Sequence, residues 1–254
     1  MQEQEPYVIT KRKHVIYRVY WGRIAAFLIA ASLAVLAVVL WFSRGKNTIT
    51  VPSRTYWCVS VGTYDSRETA DASANRAAAL GGAGYVHEAD GKFYVFVSCY
   101  PTEEDAVTVG NRLDGEADVS VYALVCNKSS FEAPKKNKEE AEDLLTFAPF
   151  LFDSLYDLAI RTDKGEVSRG AALYAMRNMA ASVREKRRTC ENTEGDIKTY
   201  ASELCDVLSR ALEPFDLLEN TENLPQQMKY ALCFSAVEIC NITQDFENNA
   251  KNRA

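Results

Sequence analysis

The sequence predicts a chain of three parts: one transmembrane helix, an α+β module of order β-α-β-β-α-β, and an all-α helical bundle. Three observations carry this. Ile24 to Ser43 contains no charged residue, residues 55–126 switch between strand and helix periods, and residues 139–250 hold four apolar stripes at helical spacing.

The uncharged run covers 20 residues. At ~1.5 Å rise per residue it spans roughly 30 Å, the thickness of a bilayer's hydrocarbon core, and a helix satisfies every backbone polar group in lipid. Before it stand Lys11, Arg12, Lys13, Arg18 and Arg23 against Glu3 and Glu5; after it come Arg44 and Lys46. The basic flank is retained inside, so residues 1–23 form a cytoplasmic tail and the rest of the chain is extracytoplasmic. Tyr17, Tyr20, Trp21 and Trp41 fall near the ends of the span, where amphipathic rings favour the headgroup region. The run is longer than the apolar region of a cleaved signal peptide, which makes it a retained anchor. Residues 44–54, closed by Pro52 and Ser53, read as a polar stalk.

Composition limits what the external part does. Residues 54–126 carry five basic and eleven acidic side chains, a net −6, so this segment repels a phosphate backbone and no nucleic-acid partner is expected. The seven cysteines, Cys58, Cys99, Cys126, Cys190, Cys205, Cys233 and Cys240, show no metal-site spacing. An odd count leaves at least one unpaired. Cys233 and Cys240 share a helix face and cannot easily pair with each other, whereas Cys58 and Cys99 fall on adjacent strands and could bridge.

Each element of the α+β module has a local cause. Tyr56 to Val61 is aromatic and β-branched, and Gly62 ends it; Ser66 to Leu80 is Ala-rich with Ser66 as N-cap and Glu68 in the first turn. Gly81, Gly82 and Gly84 stop that helix. Tyr85 to Glu88 and Lys92 to Cys99 are the arms of a hairpin turned at Asp90-Gly91. Pro101 and Thr102 open a second helix with Glu103, Glu104 and Asp105 at its start, and Val119 to Leu124 is the last strand. This order makes a ferredoxin-like split βαβ sheet with both helices on one face and the other face open. Alternation puts Trp57, Val59, Val61, Phe93, Val95 and Val97 under the helices. It puts Cys58, Ser60, Tyr94, Phe96 and Ser98 on the open face, with Tyr122 beside them.

Trp57-Cys58-Val59-Ser60-Val61-Gly62-Thr63-Tyr64, the Ala-rich helix, and Phe93-Tyr94-Val95-Phe96-Val97-Ser98-Cys99-Tyr100 together resemble a SPOR domain over about residues 54–126. The resemblance implies an extracytoplasmic module that binds peptidoglycan glycan strands lacking stem peptides and acts at division or sporulation septa. It implies a ligand face made of Cys58, Ser60, Tyr94, Phe96, Ser98 and Tyr122. The sequence departs from the family pattern there: Ser60 replaces a Gln, Tyr94 and Phe96 replace two Arg, and Ser98 replaces a Gly. Sugar binding would then use aromatic faces and hydroxyls instead of Arg and Gln. RNA-recognition domains share the topology and its strand aromatics, but the acidic charge and external location oppose that reading.

After a polar linker at 127–138, apolar positions recur at helical spacing in Glu139 to Arg161, Val167 to Arg187, Gly195 to Leu212 and Pro225 to Phe246. Pro149 should kink or divide the first helix, and Pro214 should follow the third. Short polar breaks between them make a helical bundle the economical solution. This half has no glycine-rich phosphate loop, nucleophile elbow or histidine, so no cofactor and no catalytic residue is expected. Its carboxylates, among them Asp153, Asp157, Glu203, Asp206 and Glu238, read as solvated helix faces. The expected whole is a binding protein in the bacterial cell membrane whose bundle docks division or sporulation proteins. An interaction-only scaffold that has lost glycan binding, and a wall-modifying enzyme with its site in the bundle, are the alternatives.

Overall fold

The computed structural model describes residues 46–113, 118–134, 138–218 and 222–253. The expected tail, transmembrane helix and first stalk residues lie outside the described residues. Among the described residues no helix is long and apolar enough to cross a membrane.

The α+β module follows the order read from sequence. Strand β2 (Arg54–Tyr64) leads to helix α1 (Arg67–Ala79), strands β3 (Tyr85–Ala89) and β4 (Lys92–Tyr100), helix α2 (Glu103–Leu113) and strand β5 (Ser120–Cys126). The four strands form one antiparallel sheet in the order β3-β4-β2-β5. Ser66 caps α1, its hydroxyl accepting from the Thr69 N–H at 3.3 Å. Asp90 and Gly91 both take positive φ, and Ala89 pairs directly with Lys92, so the hairpin loop is two residues long. Gly84 sits so close to α1 that a Cβ there would meet the Ala74 carbonyl oxygen at 2.5 Å; only glycine permits this approach.

The first helix face of the sheet is as expected. Val59, Val95 and Val97 pack against Ala70, Ala74, Ala77 and Ala106, with Trp57, Val61 and Phe93 at the margin. The alanines let the helices lie close to the valine layer.

Two segments expected to be connectors are strands. Lys46–Val51, within the predicted stalk, is β1, and Ser129–Pro134, within the predicted linker, is β6; they pair antiparallel from Lys46 opposite Pro134 to Val51 opposite Ser129. The reason is a sparse alternation. Ile49, Val51, Phe131 and Ala133 are all buried, while Thr48, Thr50, Ser130 and Glu132 face out. Phe131 stacks against Tyr200 at 4.8 Å between ring centroids, so the ribbon closes over the helical core.

Four helices follow: α3 (Lys138–Asp163), α4 (Arg169–Glu191), α5 (Gly195–Leu217) and α6 (Leu224–Arg253). Helix α3 continues through Pro149 and α5 through Pro214, so neither proline ends its helix. Ser168 caps α4 by accepting from the Ala171 N–H.

The largest correction concerns the second sheet face, which is not open. Tyr56, Cys58, Phe96, Cys99, Leu124 and Cys126 belong to the same buried cluster as Leu145, Phe152, Met176, Leu208 and Met228 of the helices. The Tyr56 ring packs tilted against Phe152 with centroids 4.4 Å apart, and the Arg54 guanidinium donates to Asp153 on α3. On α6, Gln226 donates to the Ala83 carbonyl and Lys229 to the Gly81 carbonyl, each at 3.2 Å. A Cys126–Cys240 disulfide joins β5 to α6 across 114 residues, a closure worth roughly 4–5 kcal/mol in the chain-entropy account. The described residues from Lys46 onward therefore make one unit and not two domains on a linker.

A fragment cut at the predicted module boundaries, residues 55–126, would expose Tyr56, Phe96, Cys99 and Leu124 together. It is expected to bind a hydrophobic dye and self-associate in gel filtration, while residues 46–254 do neither. A monomeric, dye-negative short fragment would contradict the shared core.

Candidate functional site

The residues expected on the ligand face divide into three groups. Cys58, Ser60 and Phe96 are fully buried, at 0% exposure. Cys58 lies against α6, where small residues on both sides allow a helix to approach a sheet: its thiol is hydrogen-bonded to both Cys99 and Cys233, and Ala236 is buried one turn further along. Ser60 turns inward and donates to the Gly62 carbonyl at 2.9 Å.

Ser98 lies on the opposite face. The β4 register slips between Ser98, which pairs with Val59, and Phe96, which pairs with Ser60, leaving Val97 as an extra residue. A bulge of this kind reverses the parity of everything beyond it. Ser98 therefore shares the helix face with Val59, and Cys99 takes its place toward α6. There Ser98 lines a cavity of about 590 Å³ with Tyr64, Ser73, Arg76, Tyr100 and Lys229.

Tyr94 and Tyr122 alone remain partly exposed on the expected face, their ring centroids 4.8 Å apart. His87 completes this end of the sheet. Its ring lies 5.5 Å from Tyr122 and 5.4 Å from Phe96, and it pairs directly with Tyr94 across the hairpin. The tight Asp90-Gly91 turn fixes that pairing, so the sequence contained the signal that puts His87 beside Tyr94. The result is a short aromatic platform at the hairpin end, floored by the buried Phe96.

Residues 53–123 match the SPOR domain family. The match covers the sheet and both of its helices, and the helical half matches no family. No curated protein and no solved structure matches the chain. SPOR domains are peptidoglycan-binding modules associated with cell division. In the matched module the face expected to hold ligand carries Cys58, Ser60 and Phe96, all fully buried, with Cys58 and Phe96 in one core with the helical half.

The bundle's carboxylates are largely engaged. Asp153 pairs with Arg54, Asp157 with Arg161, Asp206 with Arg187 at 2.8 Å and Glu238 with Arg210 at 3.7 Å. The last two pairs and Glu203 line a cavity of about 860 Å³ between helices. Burial pushes the Glu203 carboxyl up, aided by Asp245 and Asp206. Among the described residues, no group of three His, Cys, Asp or Glu side chains could hold a metal ion.

Burial lowers the pKa of His87 below its ordinary value, because the ring sheds water that would solvate the imidazolium. The unfolded chain then binds the proton more tightly than the folded one. The stability held by neutral His87 is complete above about pH 6.5 and is lost as pH falls below it. The urea midpoint of residues 46–254 should drop more between pH 7.5 and 5.5 than that of a His87→Phe variant. Equal drops would show that His87 is not desolvated in the fold.

Proposed function

We propose that the chain is a single-pass bacterial envelope protein, anchored by Ile24 to Ser43 with its N-terminus inside, whose SPOR module contacts denuded septal glycan. Glycan is held at the hairpin end, by Tyr94 and Tyr122 stacking on pyranose C–H faces beside His87. The observation that carries this reading is the pairing of a SPOR match at 53–123 with two part-exposed tyrosines 4.8 Å apart on the ligand side of the sheet. Amphipathic rings suit a sugar, apolar on its faces and polar at its rim. The protein acts as a binder in division or sporulation, not as an enzyme. Its helical half serves as a cover for the rest of the sheet and as a surface for a division or sporulation protein.

The burial of Cys58, Ser60 and Phe96 favours a second reading, an interaction-only scaffold in which the fold is kept and glycan binding is lost.

Cosedimentation with purified sacculi separates the two. Residues 46–254 should pellet with amidase-treated sacculi more than with untreated ones. Tyr94→Ala with Tyr122→Ala should weaken the binding about tenfold, the ~1.4 kcal/mol expected for losing stacked rings. Absence of wild-type binding would leave the scaffold reading standing.

A further inference from the structure

Seven cysteines in one chain require an accounting that the single Cys126–Cys240 bond leaves incomplete. The other five are all buried, and four of them meet in two pairs. Cys58 and Cys99 stand directly opposite each other on β2 and β4, with Sγ atoms 2.7 Å apart, inside the van der Waals separation of two sulfurs. Cys190 near the end of α4 and Cys205 on α5 face each other across a short helix–helix connection, with Sγ atoms 3.9 Å apart.

We infer that Cys58–Cys99 and Cys190–Cys205 are two further disulfides of the mature protein, leaving Cys233 as its one free thiol. Opposed residues on antiparallel strands have Cα separations of about 4.5–5.5 Å, within the range a disulfide spans. The helical pair, with its sulfurs 3.9 Å apart, has to close that gap to about 2.05 Å. Cys233 is the odd member for a reason of order. It reaches Cys58 only when α6 docks, whereas β2 and β4 pair within the module itself.

The chemistry is thiol–disulfide exchange with an oxidised dithiol oxidoreductase of the extracytoplasmic space. One cysteine thiolate attacks the partner's disulfide and forms a mixed disulfide. The second thiolate then attacks that cysteine's sulfur, and the partner leaves as a dithiol. Two protons are lost from the chain and two electrons pass to the partner. Burial pushes the Cys58 thiol well up, whereas Cys190 is shifted down, chiefly by its hydrogen bond with Cys205, with Lys186 and Arg187 adding to it.

The inference rests on the extracytoplasmic placement proposed above, and one experiment tests the two apart. Full-length protein is taken from its own membranes, denatured with a thiol-blocking reagent present and no reductant, and weighed by mass spectrometry. One adduct is expected, on Cys233, with the Cys58 peptide linked to the Cys99 peptide and the Cys190 peptide to the Cys205 peptide. Three or five adducts with Cys126–Cys240 intact, or a single adduct on any other cysteine, would overturn the assignment alone. Seven adducts would overturn the placement as well.

Discussion

The fold turns on the burial of a second sheet face. A four-stranded sheet with two helices on one side leaves its other side to solvent or to a partner, and here Cys58, Phe96 and Cys99 make that side apolar and thin. Such a surface is costly to expose and easy for a helix to approach. Helix α6 takes it, with Cys233 against Cys58, and the Tyr85 ring meets Tyr230 and Phe234 at its edge. Helices α3 and α5 pack on α6, α4 packs on α5 and α3, and the β1–β6 ribbon closes over the helices through Phe131 and Tyr200. Polar contacts at the seam, such as Arg54 with Asp153 and Lys229 with the Gly81 carbonyl, orient the two halves; partly exposed, they add less than the packing does.

The same constraint covers most of the face expected from sequence to hold ligand: of the six residues expected there, Tyr94 and Tyr122 stay partly exposed, beside His87. The substitutions read in sequence as a loss of polar reach, Ser60 for Gln and Phe96 for Arg, have a structural counterpart: both positions are fully buried, where a long polar side chain would need its partners inside the core.

Local signals were legible in the sequence because local physics sets them. The Ser66 cap, the Asp90-Gly91 turn, the 3.6-residue stripes and the alternation on β2 each rest on neighbours a few residues apart. What escaped depends on distant partners. The pairing of Lys46–Val51 with Ser129–Pro134 joins segments separated by the whole module, and each carries only two buried apolar side chains. The bulge at Val97 exchanged Ser98 for Cys99 with no glycine to mark it. The covering of the sheet did leave a trace: α6 is apolar on nearly every side, from Met228 through Leu232, Ala236 and Ile239, and a helix apolar all round is a helix buried all round. Pro214 misled in the other direction, since its helix continues past it to Leu217, while Pro149 leaves its helix undivided.

The central claim is that sheet and helices share one core, and differential scanning calorimetry of residues 46–254 with the Cys126–Cys240 bond intact tests it most directly. A shared core predicts one transition whose calorimetric and van't Hoff enthalpies agree. Two resolved transitions, one for a SPOR module and one for a bundle, would contradict it.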